Sequence, residues 1–180
     1  MTRAYYWRII GKTSITARDK KLLDTDEEMP ENLESKLQLI GNFDFENSFY
    51  NDSSLASSGK KSVVMNKDGQ RIVVPVGIKN NGSPAWYRAY VKVFPKEMVW
   101  AADKQTLFGI TLKKGNEEIK TKVIRPQRIA DSNKWQEVYV DIYAPAGTAC
   151  DSVEVFFENV TSRTSTYFDD LKIMRASKNE

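Results

Sequence analysis

The strongest constraint on the fold is a pattern that repeats from about Leu39 onward: short runs of alternating apolar and polar residues, separated by turn signals. In residues 136–143, for example, Val138, Val140 and Ile142 alternate with polar or aromatic residues. Side chains of a β-strand point alternately to its two faces, so each run predicts a strand with one buried face. Eight or nine such runs with no convincing helix between them predict an all-β fold, an antiparallel β-sandwich, and not a parallel α/β sheet.

The region before these strands differs from them in charge. Residues 1–23 carry six basic side chains and one acid, whereas residues 24–34 carry six acids and no base. Blocks of this kind are typical of solvated or linker-like segments. The sequence therefore predicts an N-terminal extension over residues 1–38, a single sandwich domain over 39–176 and a short tail over 177–180.

Two structural features are predicted inside the extension. Its first twelve residues combine aromatic and basic side chains. This mixture favours either a strand that adds to the following domain or a stub that follows a transmembrane helix in a longer parent protein. Further along, the spacing of Leu33 and Leu37 behind Pro30 predicts a short helix.

Composition removes several classes of function. The chain has no histidine, which excludes Ser-His-Asp catalysis, Cys-His catalysis and zinc sites built on histidine. The net charge of +3 is too small to favour nucleic acid as a partner. No apolar run reaches the roughly 20 residues that span a bilayer. The first ten residues lack the apolar core of a secretory signal, so the chain is predicted to be cytosolic, processed, or part of a longer protein.

Four stretches in a fixed order resemble one known family. They are GNFDFE at 41–46, GKKS at 59–62, W..V.V.I.AP.G at 135–147 and YFDDLKI at 167–173. In this order they are similar to the jelly-roll carbohydrate-binding modules, which belong to the wider galactose-binding-like class of β-sandwiches. The resemblance covers roughly residues 39–176 and implies a jelly roll that binds a polysaccharide or another glycan without catalysis. It also implies an accessory domain, attached to other domains of a parent protein, in an extracellular, periplasmic or cell-surface setting.

The resemblance further implies a structural calcium ion where the first and last strands meet. Many members of the family hold it with a carboxylate of the opening stretch, backbone carbonyls near the glycine turn and the first aspartate of the closing pair. These positions correspond here to Glu46, the backbone around Lys60, and Asp169, with the Asp44 carbonyl as a further ligand.

Strand alternation adds an independent expectation for Asp169. The residue stands two positions before Leu171, so regular alternation predicts that it faces the core, where a carboxylate needs compensation. Calcium, which prefers oxygen ligands, would supply that compensation. Alternatively, Asp169 accepts hydrogen bonds from backbone N–H groups at the strand end. Either reading makes the residue structural.

A sugar site needs aromatic rings that stack on pyranose faces, beside polar groups that bind hydroxyls. Alternation predicts that two strands, residues 85–95 and 136–143, each send one aromatic and charged face outward. If the two strands pair, these faces line one groove, a pairing that the sequence alone does not decide. The candidate ligand-binding residues on the two strands are Trp86, Arg88, Tyr90, Glu137, Tyr139 and Asp141.

Trp100, in a loop-like stretch after Pro95, is a further candidate ligand residue. Both tryptophans also have a structural interpretation. Trp86 fits a cover for the edge of the sandwich, and Trp100 fits packing beneath its own loop.

Three functions follow from this reading. The first is a non-catalytic glycan-binding module. The second is a structural or protein-interaction sandwich domain, without a sugar site, of a larger membrane-bound or extracytoplasmic protein, which the basic–aromatic start and acidic spacer favour. The third is a glycosidase with two carboxylates, but no pair stands out among the 24 acids.

Overall fold

A computed structural model of the chain describes residues 29–47, 51–52, 55–98, 101, 104–161 and 164–177. The predictions for residues 1–28, for Trp100 and for the end of the tail lie outside this part of the chain. Within it, the chain forms ten strands, one turn of α-helix (α1, Glu31–Glu34) and one 3-10 turn, Pro126–Arg128. The strands are β1 (Gln38–Phe43), β2 (Asn51–Asp52), β3 (Ser62–Met65), β4 (Gln70–Asn81), β5 (Ala85–Pro95), β6 (Leu107–Lys114), β7 (Glu117–Ile124), β8 (Gln136–Ala144), β9 (Ala149–Asn159) and β10 (Thr166–Ser177).

The strands form two sheets in which neighbours run antiparallel. The first sheet has the order β2-β3-β10-β5-β8, with β1 also paired to β10, and the second has the order β4-β9-β6-β7. Strands β3 to β10 thus follow the order of a jelly roll, in which two Greek keys supply eight strands to two facing sheets. The predicted all-β antiparallel sandwich is confirmed. The pairing of β1 with β10 joins the two ends of the domain.

The core between the sheets follows the alternation seen in the sequence. The inward residues of β5 and β8 belong to it, as predicted: Tyr87, Ala89, Val91, Val93, Val138, Val140 and Ile142. Phe168 of the first sheet stacks on Phe157 of the second, with ring centroids 4.3 Å apart, and Phe157 stacks on Phe108 at 5.6 Å. These large apolar rings fill the centre and hold the two sheets together.

A second, smaller apolar cluster lies on the outer face of the first sheet. Trp86 alternates with the core residue Tyr87 and therefore points away from the core, yet only 6% of its surface is exposed. The cluster consists of Met29, Leu33, Trp86 and Ala176, with Leu37 and Tyr143 packed against it. The short helix predicted behind Pro30 is present as α1, and its residue Leu33 packs in this cluster.

A β-bulge in β10 corrects one prediction. Phe168 aligns with the core residue Val93 and Asp169 with Lys92, but the next aligned pair is Lys172 with Tyr90, so one extra residue is inserted in β10. Asp170 sits at this insertion with a φ of 51°. Because the bulge shifts the alternation, Asp169 faces the outer side of the sheet, and the prediction that it shares the core face of Leu171 was wrong. Asp169 is nonetheless fully buried.

Candidate functional site

The outer face of the first sheet carries a ladder of facing side chains on β5 and β8. The two strands are neighbours, so the pairing on which the predicted groove depends is present. We call the following four facing pairs the β5–β8 ladder: Trp86 with Tyr143, Arg88 with Asp141, Tyr90 with Tyr139, and Lys92 with Glu137. Six of the seven predicted ligand-binding residues lie in this ladder, and the seventh, Trp100, is outside the described residues.

A buried ion pair stands at the centre of the ladder. Arg88 Nε donates to Asp141 Oδ1 at 2.6 Å, and Arg88 Nη2 donates to Asp141 Oδ2 at 2.9 Å. The two side chains are only 4% and 7% exposed. Burial acts to lower the pKa of Arg88, but the hydrogen bonds with Asp141, Tyr90 and Glu34 outweigh it and raise that pKa well above its ordinary value. The guanidinium is therefore a fixed positive charge that organises its neighbours, since a two-pronged bond to a carboxylate sets its orientation.

Two tyrosines form the exposed aromatic surface of the ladder. Tyr139 is 49% exposed, and its ring lies 4.1 Å from the guanidinium carbon of Arg88. Tyr90 is partly buried, with its ring centroid 5.7 Å from that of Tyr139, and its hydroxyl accepts a bond from Arg88 Nη1 at 3.0 Å. The buried arginine thus supports both rings from beneath, while the outer face of Tyr139 remains accessible.

A groove of about 710 Å³ runs along β8 beside these tyrosines. One wall comes from Met29 and α1, and the other from Lys122 and Ile124 of β7. Its charged lining residues are four carboxylates and two cations: Glu31, Glu34, Glu137, Asp141, Arg88 and Lys122. Since acids outnumber bases, the groove favours an uncharged or positively charged ligand over an acidic one.

Trp86 lies on the predicted face but is not accessible. Residues Met29 and Leu33 cover it, and its ring packs against Tyr143 with centroids 4.9 Å apart. Of the two interpretations of Trp86 that the sequence allowed, this position fits the structural one, a cover for the sandwich.

Two of the residues predicted to bind calcium, Glu46 and Asp169, accept hydrogen bonds from the loop that precedes β3. Glu46 Oε1 accepts hydrogen bonds from the backbone N–H groups of Lys60 and Lys61, at 2.8 and 3.1 Å. Gly59 has a φ of 60° and lies so close to the Glu46 carboxylate that a Cβ would not fit. Asp44 is exposed just after β1, and its Oδ1 accepts from the backbone N–H of Glu46 at 3.2 Å.

Asp169 holds the same loop from the other end of the chain. Its Oδ2 accepts from the backbone N–H groups of Ser57 and Ser58, at 2.8 and 3.0 Å. Its Oδ1 accepts from the N–H of Asp170 at 2.8 Å. Burial raises the pKa of Asp169, while these three backbone bonds oppose the rise.

The neighbouring Asp170 also ties down this loop. It accepts from the Ser58 hydroxyl at 2.6 Å and pairs with Lys92 Nζ at 3.0 Å. Burial acts to raise the pKa of Asp170, but the Ser58 and Lys92 contacts prevail and lower it. Three carboxylates from the two ends of the domain therefore fix residues 57–61.

This arrangement bears on whether the loop fits a calcium ion. Both oxygens of Asp169 and one oxygen of Glu46 face N–H donors, whose partial positive charges lie where a cation would bind. Among the described residues there is no group of three or more acidic side chains placed to hold a metal ion. The donor set fits the reading in which Asp169 accepts backbone N–H bonds, and calcium stays a prediction of the resemblance.

Sequence reasoning left three residues of the ladder region out of the candidate site. Lys92 and Tyr143 lie on the outward faces that alternation predicts and could have been included. Glu34 could not, because nothing in an acidic, linker-like block marks it as the partner of a buried arginine. Its Oε1 accepts from Arg88 Nη1 at 2.7 Å.

Comparison with known proteins gives similarity in structure only. No protein-family model matches the chain. No curated protein matches it in sequence. Among solved structures, a family 16 carbohydrate-binding module is 17% identical with a TM-score of 0.48, covering 76% of this chain and 99% of its own. The CBM22-1 xylan-binding domain of Xyn10C from Paenibacillus barcinonensis is 14% identical with a TM-score of 0.47, covering 79% and 97%.

A Stig cyclase, Fisc from Fischerella sp. TAU, matches at a similar level, with 10% identity, a TM-score of 0.48 and coverage of 79% of this chain and 75% of its own. At such identities the likeness concerns the β-sandwich fold. The matches include carbohydrate-binding modules, the family that the sequence motifs resemble. Separately, no helix in the described parts of the chain has the length and apolar character needed to cross a bilayer.

Proposed function

We propose that this chain is a non-catalytic carbohydrate-binding-like module that holds a glycan in the groove along β8. The observation that carries the proposal is the exposure of Tyr139, a residue that is 49% exposed at the edge of a 710 Å³ groove and whose ring is backed by the buried Arg88–Asp141 pair. An aromatic ring held in one orientation offers a flat apolar face without losing side-chain freedom on binding. That is the arrangement a pyranose face requires.

Each group in the groove has a role in this proposal. Tyr139, with Tyr90 beside it, stacks on the sugar ring. Glu137 is exposed next to them and accepts hydrogen bonds from sugar hydroxyls, and Lys122 donates from the opposite wall. Because carboxylates dominate the lining, we expect uncharged polysaccharides to bind in preference to acidic ones.

Affinity gel electrophoresis tests the proposal. The chain is run through gels that contain neutral polysaccharides, namely xylan, mixed-linkage β-glucan or galactomannan, and through gels with polygalacturonate or alginate. We expect retardation by a neutral polysaccharide and little by the acidic ones. In Tyr139→Ala the affinity should fall about tenfold, since one stacked ring contributes on the order of 1 kcal/mol or more.

Val160→Ala is a matched control for the tyrosine variant. Val160 is 48% exposed, almost as much as Tyr139, but lies away from the ladder, so its truncation should leave retardation unchanged. Failure of every polysaccharide to retard the wild type would refute the glycan-binding function. Equal retardation of wild type and Tyr139→Ala would refute the site.

One observation favours the second candidate function, a structural or protein-interaction domain of a larger extracytoplasmic protein. The ladder already binds polypeptide, because residues 29–37 of the chain pack over Trp86 and Glu34 bonds to Arg88. If this is the role of the face, then the aromatic residues serve packing, and no polysaccharide will be bound. The extracellular, periplasmic or cell-surface location stays a prediction of the sequence resemblance.

A further inference from the structure

The segment that covers Trp86 differs from the rest of the domain in how it is held. We call residues 29–37 the cover. Among the described residues, the backbone hydrogen bonds of the cover join Leu33 to Pro30, Lys36 to Leu33, and Leu37 to Glu34, all within the cover itself. The cover therefore lies on the sheet through side chains, and lifting it breaks no sheet ladder.

The helical turn of the cover has little stability of its own. It has four residues, no side-chain cap at Pro30, and a carboxylate, Glu34, at its C-terminal end where the helix dipole disfavours negative charge. A helix of this length does not persist in water without tertiary contacts. What keeps it in place is the burial of Met29 and Leu33 against Trp86, together with the bond from Arg88 to Glu34.

Arg88 would remain satisfied if the cover moved away. Its Nε and Nη2 still bond Asp141, and its Nη1 still bonds the Tyr90 hydroxyl. Glu34 is 51% exposed and would be fully solvated after release. A buried ion pair is usually costly to separate because one charge is left buried without a partner. Opening of the cover leaves no such charge.

Beneath the cover the ladder repeats the chemistry of its open part. Trp86 and Tyr143 form an aromatic pair at 4.9 Å on one side of the Arg88–Asp141 pair, as Tyr90 and Tyr139 do at 5.7 Å on the other. Both pairs lie on the same outer face of β5 and β8. The covered half therefore carries the same kind of facing aromatic pair as the open half.

We propose that the cover is a removable lid over a second binding surface, formed by Trp86 and Tyr143, which extends the open groove along the ladder. Displacing Leu33 and Glu34 uncovers this surface for a longer ligand that already contacts Tyr139. The sugar-binding role of the surface rests on the proposed function, whereas the removable lid stands on the contacts described above.

Hydroxyl-radical footprinting with mass spectrometry measures the lid without any ligand, because oxidation of Trp86 reports its exposure. Glu34→Lys places a positive charge against Arg88 and should speed oxidation of Trp86 about fivefold relative to wild type, as expected for an opening equilibrium shifted by a surface charge contact. Asn32→Lys adds a positive charge on the same helical turn, at an exposed position outside the groove lining, and it should leave the rate near that of wild type.

Leu33→Ala gives a second route to the same opening, since it removes apolar contact with Trp86 and keeps the charge pair. It should also speed oxidation of Trp86, while Trp135, which packs against Phe94 away from the cover, serves as an internal reference in every sample. Oxidation of Trp86 that stays at the wild-type rate in both Glu34→Lys and Leu33→Ala would overturn the lid.

The gel assay then separates the lid from the glycan function. The polysaccharide that retards the wild type should retard Glu34→Lys more strongly than Asn32→Lys, and adding Trp86→Ala should remove that difference. If Trp86 is uncovered in Glu34→Lys but no polysaccharide of the panel retards either protein, the lid is supported and the glycan function is refuted. If retardation through Tyr139 is intact but Trp86 oxidation never changes, the lid is refuted and the function is supported.

Discussion

The two outer faces of the sandwich begin from the same alternating pattern and end with different surfaces. On the second sheet, Arg71 pairs with Glu158 at 2.7 Å with side chains 44% and 26% exposed. On the first sheet, the corresponding pair, Arg88 with Asp141, is almost fully buried. An ion pair that water can reach contributes little, whereas a buried one is costly to break. The difference arises because the segment before β1 packs on the outer face of the first sheet.

Aromatic side chains show the same contrast. On the second sheet, the Phe156 ring lies directly over Gly109, with the Arg71 guanidinium 4.3 Å above it, and only 3% of Phe156 is exposed. On the first sheet, Tyr139 is half accessible beside a groove. The Phe156 ring on the outer face of the second sheet is therefore covered, whereas Tyr139 on the outer face of the first sheet is accessible to a ligand. This contrast is the reason for placing the proposed ligand site on the first sheet.

The largest expected effect comes from breaking the buried pair. Arg88→Ala leaves the Asp141 carboxylate buried without its partner and should lower the free energy of unfolding by about 3–5 kcal/mol. Arg71→Ala on the other face should cost at most about 1 kcal/mol. Urea unfolding of the two variants measures both values.

A double substitution sharpens this test. Replacing both partners with apolar residues, as in Arg88→Met with Asp141→Leu, should recover much of the stability lost in Arg88→Ala. Equal losses for Arg88→Ala and Arg71→Ala would contradict the distinction between the two faces.

The next effect concerns the loop held by Asp169. Asp169→Ala leaves three backbone N–H groups without their acceptor and should lower the free energy of unfolding by about 2–4 kcal/mol. Because those donors already satisfy the carboxylate, we expect the same Tm for the wild type in EDTA and in millimolar calcium. A calcium-dependent rise in Tm that Asp169→Ala abolishes would establish the ion predicted by the sequence resemblance.

The smallest of these effects tests the closed ring on the second sheet. Gly109→Ala introduces a Cβ into the position of the Phe156 ring and should cost about 1–3 kcal/mol through overpacking. Gly77→Ala, in β4 of the same sheet, has nothing within 4 Å of the added Cβ and should be nearly neutral. Thermal unfolding of the two variants compares them, and a neutral Gly109→Ala would mean that Phe156 is not fixed on this face.

Much of the fold was predictable because alternation is a local property. Strand order was not predictable, but alternation placed the inward residues of β5 and β8, and the structure buries them. It also predicted the short helix behind Pro30. The face of Asp169 was predicted wrongly, because the extra residue at Asp170 shifts the alternation and carries no clear signal among neighbouring polar residues.

The residues of the candidate site were predictable from the sequence, but their arrangement into one surface was not. Alternation selected Arg88, Asp141 and Tyr139, but whether they meet depends on which strands are neighbours. Likewise, the burial of Trp86 depends on where residues 29–37 lie, and no local pattern announces a contact between Glu34 and Arg88 across more than fifty positions.

The sequence by itself determined the strands, their buried faces away from the bulge in β10, and the absence of histidine chemistry, because these depend on residue type and on spacing along the chain. Only the tertiary structure decided that β5 and β8 are paired, that Asp169 is buried beneath a loop outside the core, and that Trp86 lies under a segment of its own chain. Those outcomes depend on contacts between distant positions, and the free energy of such contacts is set by packing and desolvation in three dimensions.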